Sequence, residues 1–256
     1  MRRRSGGALK LALSLAVVLA ALLAWEYGVL AAEMPEYLLP APSVIFKKFW
    51  QTLPVQMEHL AVTAATTLAG LVMALVAGVA LALVVTYVKP LQSVILPLFA
   101  AFNGIPKIAI APLLVTWLGL GAEPKVLLAF LLALFPVFVN AATGLSEIQP
   151  DILDLARLFG GTELRIFWKV RLMNAVPYLS DAVKVAFPLA LVGSIVGEFI
   201  GGNRGVGYLI LSAQSNLDTP LVFASLLSIT LFTSAGTSAV MLFEKLFLEW
   251  RPSRQR

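Results

Sequence analysis

Six apolar runs partition this chain, at roughly residues 11–31, 62–86, 93–119, 126–144, 182–200 and 221–243. At about 1.5 Å per helical residue, each reaches across a hydrocarbon layer about 30 Å thick. Inside that layer no water satisfies backbone N–H and C=O groups, so a spanning segment must be a helix or part of a closed barrel. The runs are continuous rather than alternating apolar and polar, which selects the helix. Composition closes the soluble route. The chain is 59% hydrophobic and 13% charged, against about 25% charged in soluble domains, and cannot cover a globular surface. The expected fold class is an all-α membrane protein with six transmembrane helices.

The basic residues orient it. A formal net charge of +5 in a soluble protein points to nucleic acid. Here the charges sit at the ends of apolar runs, the pattern of membrane orientation, and no nucleic-acid partner is expected. With the N-terminus inside, Arg2, Arg3, Arg4, Lys10, Lys89, Arg157, Arg165, Lys169, Arg171, Lys184, Lys245, Arg251, Arg254 and Arg256 fall on the inner side. Only Lys47, Lys48, Lys107, Lys125 and Arg204 fall outside or within a run. Both termini and the insert Glu147–Pro177 are therefore expected in the cytoplasm. The start, MRRR before an apolar run from Leu11 to Trp25, resembles a secretory signal peptide. Further spanning runs follow it, so an uncleaved first helix is the reading.

Three departures from plain apolar helix carry information. Between Glu33 and Glu58 several prolines make an irregular connection, and Ser43–Trp50 then shows helical apolar spacing, which predicts a short amphipathic helix at the membrane surface. The third run holds Asn103, Gly104, Ile105, Pro106 and Lys107 at its centre and Pro112 beyond, so it is expected to kink or break. A cation near mid-span is a functional-site hypothesis by default. Lys107 and Asn103 are therefore candidate residues of a translocation pathway; the bland alternative is a lysine that snorkels to water at the break. Glu198, at the outer end of the fifth run, is a third pathway candidate, or a surface-level partner of Arg204 or Lys107.

The insert is the densest polar stretch between the termini. Ile152, Leu155, Ala156 and Phe159 recur at helical spacing, giving one apolar face from about Pro150 to Phe159. Gly160 and Gly161 can end that helix, because glycine takes left-handed backbone angles without steric cost. Thr162 is placed to cap a second helix carrying Arg165 to Arg171. From periodicity alone, this is equally a docking unit or an ordinary cytoplasmic loop.

The insert resembles the cytoplasmic loop of ABC importer permeases, whose pattern runs Glu-Ala-Ala, then glycine, then Ile-x-Leu-Pro. Asp154-Leu155-Ala156, Gly160 and Val170-Arg171-Leu172-Met173 stand at those places, with Asp for Glu, Leu for Ala and Met for Pro as departures. Leu39–Ser43, Ile105-Pro106-Lys107 with Pro112 and Trp117-Leu118-Gly119, and Gly197-Glu198-Phe199 with Gly205–Leu209 are similar to segments of the nitrate, sulfonate, taurine and thiamin-precursor permeases. The resemblance covers about Leu39 to Trp250. It implies an ABC importer type I permease fold in the bacterial inner membrane, moving a small solute. It implies three partners: an ATPase dimer, a second permease subunit, here a homodimer, and an extracytoplasmic solute-binding protein. ATP is used by the ATPase and no cofactor is bound by this chain. Asp154, Ala156, Arg157, Gly160, Gly161 and Leu172 would couple to the ATPase. The expected organisation is an N-terminal helix with its outer loop (1–60), a permease core (61–245) and a basic tail (246–256).

Other chemistries find little support in the residues. A P-loop needs phosphate-cradling glycines followed by Lys and Ser or Thr, and no such stretch exists; Gly201–Gly207 reads instead as a tight outer turn. With no cysteine and one histidine, His59, read as a surface or loop residue, a metal centre or intramembrane enzyme is not expected. An ion-coupled secondary transporter would carry inverted repeats and mid-membrane carboxylates; neither is visible. A membrane scaffold remains the third alternative.

Overall fold

The computed structural model describes residues 5–247. The basic flanks Arg2–Arg4 and Arg251–Arg256 and the expected interface anchor Trp250 lie outside the described residues, as do the side chains of Lys10 and Lys89. Among the described residues every regular element is helical. In chain order these are α1 (Ser5–Ala31), α2 (Pro42–Gln51), α3 (Leu53–Tyr87), α4 (Lys89–Asn103), a 3-10 turn (Lys107–Ile110), α5 (Ala111–Leu118), α6 (Glu123–Ser146), α7 (Pro150–Leu158), α8 (Glu163–Ile166), a π-helical turn (Phe167–Arg171), α9 (Leu172–Gly201), α10 (Val206–Ser215) and α11 (Thr219–Phe247). Five helical stretches are long and apolar enough to cross a membrane. Counted as one broken span, the pair Pro90–Asn103 and Lys107–Leu118, bent by 76° where Gly104–Pro106 interrupts it, makes a sixth.

Proline marks the beginnings. It stands in the first turn of α2, α4, α5, α6 and α7, where a backbone donor has no helical partner anyway. The break in the third run is where Pro106 withholds a donor. Pro97, Pro136, Pro177 and Pro188 lie inside helices without ending them. This corrects the expected fifth span. It is not 182–200 but one continuous stretch, Glu163–Gly201, of 39 residues. Pro177 and the basic residues before it are absorbed into the helix, and the expected second helix of the insert forms its first turns.

The chain divides into two compact units. The first comprises the residues up to Glu58 and Leu209–Ile229. Within it the amphipathic α2 is tied down from three sides. The Glu26 carboxylate accepts from the Ser43 amide at 2.9 Å and its hydroxyl at 2.6 Å, supplying a negative group to the α2 N-terminus. Lys48 pairs with Asp218 at 2.6 Å. Thr219 donates to the Tyr37 carbonyl at 2.5 Å. Asp218 also accepts from the Leu221 amide at 3.1 Å and so caps α11.

The second unit, His59–Tyr208 with the chain from Thr230, is built on α6 against α9. The two helices run antiparallel and nearly touch. A Cβ at Gly193 would stand 2.6 Å from the Leu128 carbonyl, at Gly197 2.8 Å from Lys125 Cα, and at Gly144 2.8 Å from Ala175 Cα. Small residues allow this approach, which dispersion rewards where no hydrophobic effect operates between lipid-embedded helices. Leu71, Ala74, Ala129, Ala133, Val137, Ala186 and Ala190 fill the core around the seam. In the N-terminal half of α9, Lys184 joins Asp181 at 3.1 Å and Glu244 of α11.

Candidate functional site

The insert contains a helix with nothing on it buried. α7 has no buried residue, yet Ile152, Leu155, Leu158 and Phe159 are apolar and exposed, the last two by 83% and 80%. Exposed apolar side chains on one face of a helix mark an interaction surface. Asp154 and Arg157 lie on the polar side, 3.6 Å apart, and Arg157 also reaches Glu163 at 3.3 Å. Gly160 has φ +74° and ends α7; the Gly160 amide donates to the Arg157 carbonyl and the Gly161 amide to Ala156, each at 2.9 Å. The Thr162 hydroxyl accepts from the Arg165 amide at 3.4 Å and caps α8. Asp154, Ala156, Arg157, Gly160 and Gly161 thus come together in one exposed loop. Leu172 does not join them. It stands beyond the π turn, half-buried, where α9 begins.

At the other end of α9 lies a buried polar cluster. Glu198 is 1% exposed. It is not at the surface and has neither Arg204 nor Lys107 as its hydrogen-bond partner. Its Oε1 accepts from the Thr63 hydroxyl at 2.8 Å and its Oε2 from the Gly207 amide at 2.7 Å. Thr63 in turn accepts from the Val206 amide at 2.8 Å, and His59 Nδ1 accepts from the Gly205 amide at 3.1 Å. Three successive amides at the start of α10 are therefore capped by side chains of α3 and α9. A carboxylate facing backbone donors is a strong, charge-assisted acceptor. Lys125 completes the turn by donating to the Arg204 carbonyl at 3.0 Å. Gly205 has φ +116°, and a Cβ there would stand 2.1 Å from the Glu198 carboxyl carbon. His59 is consequently a half-buried helical residue, stacked on Tyr208 at 6.0 Å, not a loop histidine.

Lys107 is 8% exposed and sits in the 3-10 turn after the break. Its ammonium donates to Asn103 Oδ1 at 2.8 Å and lies 5.9 Å from the Phe102 ring centre. Asn103 itself is exposed. The structure brings these two together and leaves Glu198 in a different cluster.

Sequence reasoning assigns no site role to Lys125, Thr63, Arg171 or Asn174. Lys125 counted only as an outer base, though it is 5% exposed; its place in the first turn of an apolar helix was the available signal. His59 and Thr63, four residues apart, share a helix face, which was legible; their targets were not.

A protein-family model for the binding-protein-dependent transport system inner membrane component matches residues 70–249. The chain belongs to this family. The permease is also 32% identical over 245 residues to the riboflavin transport system permease protein RibX of Chloroflexus aurantiacus, covering 94% of this chain and 91% of the relative. It is 31% identical to the formylaminopyrimidine transport permease protein ThiX of Halalkalibacterium halodurans, covering 89% and 91%. Its fold matches a chain in inward-facing structures of the MetNI methionine ABC transporter, with TM-score 0.55 and 21% identity, over 75% of this chain and 96% of that one. The permease is thus a multi-pass inner-membrane subunit of an ABC importer, a transport protein rather than an enzyme, and ATP is used by a separate ATPase.

Proposed function

We propose that the permease pairs with a second copy of itself and imports a vitamin-type heterocycle, docking its α7 face into a groove on each subunit of an ATPase dimer. The observation that carries the docking is the exposed apolar face of α7, on a helix that buries nothing of its own. Asp154 and Arg157 set its polar border, Ala156, Gly160 and Gly161 its shape, and Leu172 starts the rod behind it. The coupled motion needs only a docked lever acting on two-state helix packing. Both termini and the insert face the cytoplasm, by the distribution of Lys and Arg. The outer loop with α2 faces the solute-binding protein, lipid surrounds the spans, and residues 246–256 form a basic cytoplasmic tail to a core that begins near residue 61.

The choice of solute among nitrate, organosulfonates and vitamin precursors rests on the riboflavin and formylaminopyrimidine permeases, whose likeness extends over nearly the whole chain. Lys107 and Asn103 line the pathway at the broken span; Glu198 serves it indirectly, by holding the outer turn. The test is uptake by proteoliposomes holding permease, ATPase and binding protein, offered riboflavin, formylaminopyrimidine or taurine. ATP-dependent uptake of a heterocycle is expected. Uptake of taurine alone overturns the solute assignment, and uptake without the ATPase overturns the importer reading.

A further inference from the structure

The insert leaves α6 and returns to α9, and its two ends are fastened to each other. A helix leaves its last carbonyls without helical partners. In α6 the missing partners come from across the insert. The Arg171 guanidinium donates through Nη1 to the Leu145 carbonyl at 2.8 Å. Asn174 Nδ2 donates to the Gly144 carbonyl at 2.8 Å and the Glu147 carbonyl at 3.1 Å. A cation at a helix C-terminus is stabilised further by the helix dipole. Arg171 also lies 5.6 Å from the Tyr87 ring centre, and Tyr87 meets Phe167 edge-on at 6.2 Å. Just behind the clamp, Gly144 lets Ala175 approach as closely as a missing Cβ allows. Farther along the same seam Gly193 and Gly197 do the same.

We propose that Arg171 and Asn174 are positioning residues that make α6 and α9 one rigid hairpin, so that movement of the docked loop reaches both helices at once. The proposal rests on the docking reading above and adds a separate requirement to it. Without the clamp the loop still presents its apolar face, but the π turn between docking face and membrane takes up the displacement. A π turn is a wide, locally strained register, found often at functional sites. Arg171 bridges it to α6, so the loop, its base and the α6 terminus move as a body. Among the described residues Arg171 hydrogen-bonds through Nη1, and its Nε is buried without a partner. A lysine ammonium can therefore supply the one donation that matters.

The test uses the complete importer in proteoliposomes, with Arg171→Met, Asn174→Ala and Arg171→Lys variants. Two quantities are read: ATPase retained by the affinity-purified permease, and stimulation of ATP hydrolysis by the binding protein per ATPase retained. Arg171→Met and Asn174→Ala are expected to retain ATPase at the wild-type level while stimulation falls by about tenfold, the scale of a lost coupling between sites. Arg171→Lys is expected to restore most of it. Stimulation within about twofold of wild type in both variants overturns the clamp and leaves the docking reading standing. Loss of ATPase retention in both also overturns it, because the clamp then sets docking rather than transmission. A wild-type permease that retains no ATPase sinks the docking reading itself, before any variant is made. The chain has no cysteine, so paired labels at Asp151 and Val139 give an independent reading. Their distance distribution is expected to stay narrow between nucleotide states in the wild type and to broaden in Arg171→Met; an unchanged distribution counts against the clamp.

Discussion

Two connections meet the ends of the same helical rod. Residues 147–162 lead into its N-terminal end, and residues 202–205 lead out of the other. The first is secured at its base and bare at its tip, where Leu158 and Phe159 stand almost fully in the open. The second is held where it enters α10. The Arg204 carbonyl and the amides of Gly205, Val206 and Gly207 all bond to side chains of α3, α6 or α9. An unpaired backbone group away from water costs about 1–3 kcal/mol, and the outer turn avoids that cost within its own chain. The insert instead keeps a large apolar area exposed, which is unfavourable by about 25 cal/mol per Å² until something covers it. One connection is completed by this chain; the other, on the docking proposed above, waits for a partner.

The contrast is broken most severely at the tip of the insert. Replacing Leu158 and Phe159 with Asp is expected to cut the ATPase recovered with the permease by tenfold or more, at about 1.5–3 kcal/mol per buried side chain lost. The permease alone, in detergent, should unfold at an unchanged temperature, because neither side chain is packed within it. Retention of the ATPase at the wild-type level would refute the partner-completed view. Gly160→Pro comes next. Proline fixes φ near −65°, whereas Gly160 sits at φ +74° and donates its amide to Arg157. Membrane insertion should survive and ATP-coupled transport should not; full transport in that variant removes the lever.

At the outer turn the expected effect is on order rather than on partners. Glu198→Leu leaves the Gly207 amide without its acceptor, a loss of about 1–3 kcal/mol. Hydrogen exchange at Gly205–Gly207 should speed up and the melting temperature should fall, while ATPase retention is unaffected. Glu198→Gln keeps one carbonyl oxygen for the Gly207 amide and can donate to Thr63, so it should lie between. Equal exchange in the leucine variant and the wild type shows that the turn does not depend on the carboxylate.

The same contrast explains what was legible in the sequence. The spans were, because crossing a hydrocarbon layer is a matter of length and composition. So was the loop tip, because its devices are local: Gly160, Gly161 and Thr162 act within a few residues of themselves. The outer cap was not. Thr63 meets Glu198 across 135 positions and Val206 across 143, and no periodicity announces such a pairing. Sequence alone accordingly leaves Glu198 as a pathway candidate or a surface-level partner of Arg204 or Lys107. The length of the helical rod was misjudged for a different reason. Pro177 bounds the polar insert in the sequence, but a proline is compatible with the interior of a membrane helix, where neighbouring groups make good its missing donor.

Lys107 offers the smallest expected effect and separates two uses of a buried cation. Its ammonium is met by Asn103 and by no carboxylate among the hydrogen bonds and ion pairs of the described residues. If it lines the pathway, Lys107→Met lowers uptake a few fold while complex assembly and ATPase retention stay as they were. If its work is to fasten the broken span, removing the other half of the bond by Asn103→Leu should do the same damage, and both variants should lose thermal stability together. Lowered uptake in Lys107→Met with stability preserved favours the pathway, and unchanged uptake takes Lys107 out of it. A cation used on the solute is open to solute competition in a way that a cation used on Asn103 is not. Excess unlabelled heterocycle should therefore protect a reactive probe site at Ile108, on the same turn, only in the first case.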